Sequence, residues 1–345
     1  MGKDSLEASW MRMLPKDDEE INEHFLHEFF RTMYERQQIY FNRFIQRNPA
    51  PWTEDPIFRD YKYTNVYREL DRNSLWEIEN IIKNNSLTDR DLIWQICLFR
   101  FFNQPLLFEF IRENEFFNRD PLPLFSNYDS NIFYRALEMY RSTGGNPFTN
   151  AYYINSGACP GAKRDWCYGN KIVPHLHSKI DELCEICLNS QNPQDLIDFM
   201  ITLPGVARFI AHEFYISLCY IRKYTNRKFF KWTENDWTNV GPGASLGIRL
   251  IFPSLKTIKE QEQAIFWLKE LAPLYLQEHF PDFYFFHWNK ELKNAATGVP
   301  GIRVLIKNDC NITLHNIEMW LCEFSKYWKM TIKEGKQRSK FVPCS

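Results

Sequence analysis

One corner constrains this chain more than any other stretch: Thr202-Leu203-Pro204-Gly205-Val206-Ala207. Apolar residues recur at helical spacing on both sides of it, over 195–201 and 206–221. Pro204 cannot continue the first helix, because it lacks an amide donor and its ring meets the preceding turn. Gly205 can take a positive φ because it has no Cβ. Leu-Pro-Gly-Val between two helices therefore reads as a helix-hairpin-helix turn. The first amides of the second helix lack intrahelical partners, and the helix dipole favours an anion there. Two readings stay open: a DNA phosphate held at Leu203, Gly205, Val206, Ala207 and Arg208, or a tight turn in a helical protein.

Composition decides what kind of chain carries this corner. Of 345 residues, 44% are hydrophobic and 25% charged, which is ample for a core and argues against disorder. The length fits one large or two small domains. A net charge of −1 does not suggest a general polyanion binder, so any nucleic-acid surface must be local. The charge is uneven. Asp17, Asp18, Glu19, Glu20, Glu23 and Glu28 crowd the start. Arg222, Lys223, Arg227, Lys228 and Lys231 follow the hairpin, and Lys326, Lys329, Lys333, Lys336, Arg338 and Lys340 mark the end. We expect an acidic lead-in over 1–20, one helical domain of two lobes over 21–332, and a basic tail over 333–345.

No apolar run approaches membrane-spanning length, and the N-terminus has no signal-peptide pattern. The odd count of nine cysteines fits a reducing interior, cytoplasmic or, in a eukaryote, nuclear. Cys184 and Cys187 form the one CxxC and lie on a helical pattern, so buried free thiols are expected there. His175 and His177 lack a third ligand, and we expect no metal and no cofactor.

The remaining periodicity is mostly α. A long helix is expected over 18–43, broken near Gln37, then a proline-fixed turn over 48–56 around Trp52. Residues 63–72 read as helical, which sets Asn65, Arg68, Glu69 and Arg72 on one face. That face is either a solvated or structural ionic network or the lining of a cleft. Lys163 and Arg164 sit in an aromatic, loop-rich stretch and are further candidates for DNA contact, with Arg227 and Lys228. Gly241-Pro242-Gly243-Ala244 opens a small-residue helix. It reads as a second phosphate cradle or as a sharp turn with close packing. The best strand signal is at 302–306.

The hairpin, followed by Asp236, resembles the helix-hairpin-helix DNA glycosylases. That resemblance implies a two-lobed helical fold, an extruded base and a carboxylate near the sugar. Bifunctional members carry a lysine where Arg208 and Phe209 stand, so no Schiff-base chemistry is expected. A broader resemblance runs through five motifs in order. They are Pro51-Trp52-Thr53-x-Asp55-Pro56, Thr64-Asn65-Val66-Tyr67-Arg68-Glu69-x-Asp71-Arg72, Leu203-Pro204-Gly205-Val206, Val240-Gly241-Pro242-Gly243-Ala244 and Cys322-Glu323-Phe324-x-Lys326-Tyr327. Together they are similar to the α-glutamyl/putrescinyl-thymine pyrophosphorylase group, which includes the helical domain attached to 5-hydroxymethyluracil DNA kinases. The group's pattern has an acidic residue where Ser325 stands.

This resemblance implies hypermodification of thymine in double-stranded DNA, after a DNA kinase acting upstream. Phosphate or pyrophosphate on the base would be displaced by an amine. The leaving group needs cationic or N–H partners, and the amine needs a proton acceptor. Asn65, Arg68, Arg72, Gly241, Gly243 and Ala244 are the expected phosphate-side residues. Asp236 is the first candidate for the base, with Glu69, Asp71 and Glu323 behind it. The alternatives are a non-catalytic reader of modified thymine and a monofunctional glycosylase in which Asp236 steadies a cationic sugar.

Overall fold

The computed structural model describes residues 20–118, 120–150, 158–287, 304–307, 311–332 and 340–341. The acidic lead-in up to Glu19 and the tail residues Lys333, Lys336 and Arg338 lie outside them.

The elements follow in chain order. They are α1 (Glu23–Tyr40), α2 (Pro56–Asp60), α3 (Arg72–Glu77), α4 (Asp89–Phe102), α5 (Pro105–Glu113), α6 (Ser130–Ser142), α7 (Arg164–Cys167), α8 (Val173–Asn189), α9 (Pro193–Thr202) and α10 (Arg208–Tyr224). Then come α11 (Pro242–Ile251), α12 (Ile258–His279), β1 (Tyr284–His287), β2 (Val304–Lys307) and α13 (Leu314–Thr331). Single π-helical turns extend α1 and α3 and join α7 to α8. The fold is mostly helical, as expected. The two short strands pair antiparallel, with Tyr284 opposite Lys307. No helix among the described residues is long and apolar enough to cross a membrane.

The starts of the helices are written in their caps. Asn22, Asp55, Thr88, Asp129, Asn192, Thr257 and Thr313 each accept a first-turn amide through the side chain. Two expectations fail locally. Helix α1 does not break near Gln37, because Gln37 is buried and its Nε2 donates to the Tyr284 carbonyl at 2.6 Å. The stretch 63–72 is not one helix. It runs extended to Tyr67, makes a single 3-10 turn at Arg68–Leu70, and only then enters α3.

The chain divides into two compact units, one formed by Met1–Asp71 with Thr238–Ser345, the other by Arg72–Trp237. In the first, α1, α11, α12 and α13 surround a core that includes Phe29, Phe30, Ile248, Leu268, Trp320 and Phe324. Burying side chains of this size contributes about 1.5–3 kcal/mol each. The indole of Trp320 donates to the Phe29 carbonyl at 3.2 Å, which gives its polar edge a partner inside the core. Helices α11 and α13 approach very closely. A Cβ at Gly247 would stand 2.4 Å from the Leu321 carbonyl oxygen, and one at Gly243 would stand 2.9 Å from Cys322 Sγ.

In the second unit α4 packs on α10, with α8 against α4 and α9 against α10. The packed face of α4 includes a buried charge. Arg100 donates to Glu77 at 2.5 Å, to Glu213 at 3.3 Å and to Ser217 at 2.5 Å. Burial raises the Glu77 carboxyl above the ordinary glutamate range, and Arg100 opposes that shift. Cys184 and Cys187 are free thiols, as expected, with Cys187 buried and Cys184 only partly so. Burial pushes Cys184 up to about 11 and Cys187 well above the usual thiol range. Cys159 and Cys167 are joined by a disulfide, a pairing that the odd cysteine count did not point to.

Candidate functional site

Helix α13 organises the polar part of the first unit. Its face carries Glu323 and, one turn on, Lys326 and Tyr327, and Glu323 and Tyr327 each meet a residue from the segment 53–71. The Glu323 carboxylate, 3% exposed, accepts the Thr64 amide on Oε2 at 3.3 Å and the Lys326 ammonium on Oε1 at 2.5 Å. The Tyr327 hydroxyl donates to Asp55 Oδ2 at 2.6 Å and accepts from Arg31 at 2.9 Å. Asp55 meanwhile caps α2 through Oδ1, at 2.9 Å from the Ile57 amide, with Pro56 in the first turn. The Asp-Pro of the first motif is thus a helix start, and its second carboxylate oxygen anchors the last motif.

The segment around Asn65 adds a second chain of contacts. Arg36, from α1, donates to Asn65 Oδ1 at 2.6 Å and to the Tyr63 carbonyl at 3.4 Å. The Asn65 amide and its Nδ2 both donate to Asp71 Oδ1 at 3.0 Å. The other Asp71 oxygen lies 3.5 Å from Arg68 Nη1. Burial raises the Asp71 carboxyl above the ordinary aspartate range, opposed first by Arg68. The same desolvation lowers the enclosed guanidinium of Arg36 to about 10, while Asp71 and Glu323 hold it up. Burial and then Glu323 raise the Tyr63 phenol. Arg36 Nη1, Tyr63 Oη, Thr64 Oγ1 and Asp71 Oδ2 are buried and make no hydrogen bond with a described residue.

Among the expected residues, Asn65, Arg68, Asp71 and Glu323 thus belong to one cluster. Glu69 is buried in the 3-10 turn beside them. Arg72 is exposed and opens α3, the first element of the other unit. Arg36, Tyr63 and Thr64 were missed as site residues. Arg36 had no distinguishing signal, since it reads as one more cation on an amphipathic helix.

The glycine motif takes its close-packing reading. Gly241 stands at the N-cap of α11 without a side-chain cap, and a Cβ there would lie 3.8 Å from Glu318 Oε1. A carboxylate beside that helix start disfavours a phosphate. Gly243 packs on Cys322, and Ala244 is fully buried against the core, so neither is open to a ligand's phosphate. The motif sits where α11 packs closely on α13.

In the second unit residues 203–207 make the turn between α9 and α10. Gly205 has φ +78°, and the Val206 amide donates to the Leu203 carbonyl at 3.1 Å. Leu203 and Val206 are buried and pin the turn, while Ala207 and Arg208 are exposed. Ala207 at the N-cap of α10 offers no side-chain cap, so the start of that helix is not closed by its own sequence. Lys163 and Lys228 are exposed. Arg164 lies over the Phe148 ring at 4.1 Å. Arg227 is spent structurally, with Nη1 at 2.5 Å from Asp89 and a further bond to the Leu87 carbonyl. Asp236 also has local partners. It is exposed, and its Oδ2 accepts the Thr233 amide at 2.6 Å and hydroxyl at 2.8 Å, closing a local turn.

A family model for the 5-hmdU DNA kinase helical domain matches residues 23–337. A curated relative named "5-hmdU DNA kinase", from Bacillus phage SP10, is 27% identical over 313 residues. That alignment covers 87% of this chain and 44% of the relative, so the chain spans less than half of that protein's length. No solved structure matches. All five motifs lie inside the matched range, and four of them meet in the first unit. The chain belongs to the family of the 5-hmdU DNA kinase helical domain.

Proposed function

We propose that this chain acts on 5-hydroxymethyluracil in DNA, replacing a phosphate or pyrophosphate on the base with an amine. The observation that carries the reading is the enclosed Arg36–Asn65–Asp71–Glu323 cluster, built largely from motifs inside the range of the family match. In the proposed step the amine nitrogen bonds to the exocyclic carbon of the base. The carbon–oxygen bond to phosphate breaks, and the phosphate leaves with that electron pair. The amine's proton passes to a carboxylate, for which Glu323 is the best placed: it is enclosed and its Lys326 partner is half exposed. Arg36 and Arg68 supply positive charge for the leaving group. The exposed corner at Gly205–Arg208 would hold a phosphate of double-stranded DNA. Lys163 and Lys228 are proposed as local cationic contacts. An upstream DNA kinase would supply the phosphorylated base, and an intracellular setting follows from a DNA substrate.

The test incubates the protein with DNA carrying 5-hydroxymethyluracil, phosphorylated or not, together with candidate amines. Mass spectrometry of the released nucleosides should find an amine adduct only from the phosphorylated DNA. An abasic site would replace this reading with a glycosylase, and retention of DNA with neither product would leave a non-catalytic reader.

A further inference from the structure

The cluster in the first unit offers more than charge. Its four buried atoms without an internal hydrogen bond differ in what they can do. Arg36 Nη1 can only donate, Asp71 Oδ2 as a carboxylate can only accept, and the Thr64 and Tyr63 hydroxyls can do either. The carboxylate also has a defined orientation. Asp71 Oδ1 is held by two donors of Asn65, at 3.0 Å each, which leaves Oδ2 as the oxygen without a hydrogen bond. Two guanidinium groups belong to the same network: Arg68 Nη1 lies 3.5 Å from Oδ2, and Arg36 joins through Asn65.

One acceptor grouped with donors suits one pyrimidine edge. Uracil presents carbonyl, N3–H and carbonyl in sequence. Cytosine presents an amino group, a bare N3 and a carbonyl, so it would set a lone pair against the carboxylate and an amino group against a guanidinium. We propose that Asp71, with Arg36 and Thr64, reads the Watson–Crick edge of an extruded uracil-type base and rejects cytosine. The inference deepens the proposed function and rests on it for the class of substrate. Base extrusion makes the edge available, since a flipped nucleotide exposes its pairing face.

The orientation of Asp71 makes the test sharp. In Asp71→Asn the two Asn65 donors keep the amide oxygen at the Oδ1 position, so the NH₂ falls where Oδ2 was. One acceptor becomes a donor with almost no change in shape. Duplexes carrying a single 5-hydroxymethyluracil or a single 5-hydroxymethylcytosine would be titrated by fluorescence anisotropy against the full chain. The wild-type protein should favour the uracil duplex by on the order of tenfold, the discrimination typical of one good paired contact. Asp71→Asn should bring that ratio to about one or below while cytosine binding persists, which also reports a folded protein. Thr64→Val keeps the Thr64 amide bond to Glu323 and removes a hydroxyl without an internal partner. It should melt no lower than wild type and still bind the uracil duplex severalfold more weakly.

A wild-type ratio near one, or an Asp71→Asn ratio unchanged from wild type, overturns the proposal. Its fate is separable from that of the transferase. An intact ratio that Asp71→Asn abolishes supports the edge reading even where no amine product forms. Product formation with no base preference refutes the edge reading alone.

Discussion

Glu323 is the residue on which the proposed chemistry turns. Its carboxylate is enclosed and holds both a backbone amide and an ammonium. Glu323→Gln keeps the shape and removes the proton acceptor. Amine incorporation should fall by about 10²–10⁴-fold, the usual worth of a positioned base, while DNA retention stays near wild type. Quantitative nucleoside mass spectrometry beside a filter-binding assay checks both halves. At this scale the sequence was an uneven guide. Glu323, Asp71, Asn65 and Arg68 were legible because they sit in dense polar motifs. Asp236 looked equally good, since a carboxylate in a Thr-x-x-Asp loop reads the same whether it closes its own turn or faces a substrate. Arg36 was invisible because its partners, Asn65 and the Tyr63 carbonyl, are far from it in the chain.

At the scale of elements, the corner between α9 and α10 and the contact between α11 and α13 make opposite use of glycine. Gly205 needs its positive φ, and the corner it makes is half exposed. Gly205→Asp adds a Cβ where the left-handed backbone disfavours one and a negative charge beside the proposed phosphate. DNA affinity should drop about tenfold irrespective of sequence. The slope of log affinity against log salt should shrink by about 0.9 for each phosphate that the corner no longer neutralises. Anisotropy titrations over a salt series measure both, and an unchanged slope would count against the corner as a phosphate site. Gly247 needs closeness instead. Gly247→Ala places a methyl 2.4 Å from the Leu321 carbonyl oxygen, so α11 and α13 must separate. The strain should destabilise the protein by about 1–3 kcal/mol in chemical denaturation. Helix periodicity was largely readable: the apolar spacing over 195–201 and 206–221 falls within α9 and α10 but for the first two residues of the second stretch. The helix expected over 63–72 was not real. There the side chains of Asn65 and Asp71 bond the local backbone and offer the chain an alternative to the helical ladder.

Over the whole molecule, stability should carry the mark of the buried acids. Burial raises Glu77 in the folded state above its ordinary value near 4.5. A carboxyl raised on folding binds its proton more tightly there than in the unfolded chain. Its contribution is therefore fully present below the unfolded value and is lost as pH rises through the raised folded value. Denaturant unfolding measured from pH 4 upward should show that loss in the wild type, and Glu77→Gln should flatten it. Removing the shared partner is harsher. Arg100→Met leaves Glu77 and Glu213 without their cation and should cost about 3–5 kcal/mol.

The division of the chain has a consequence for synthesis. Residues 72–237 form one unit without a break, whereas the other draws on both sides of that insert. The Asn22 amide waits for the Ile251 carbonyl, and Asp55 waits for Tyr327. On the ribosome the inserted unit is complete first, while the apolar stripe of α1 has no partner until α11 and α13 emerge. A nascent chain arrested shortly after Trp237 should yield a protease-resistant middle and a degraded front, and the front should become resistant only once residue 331 has left the exit tunnel.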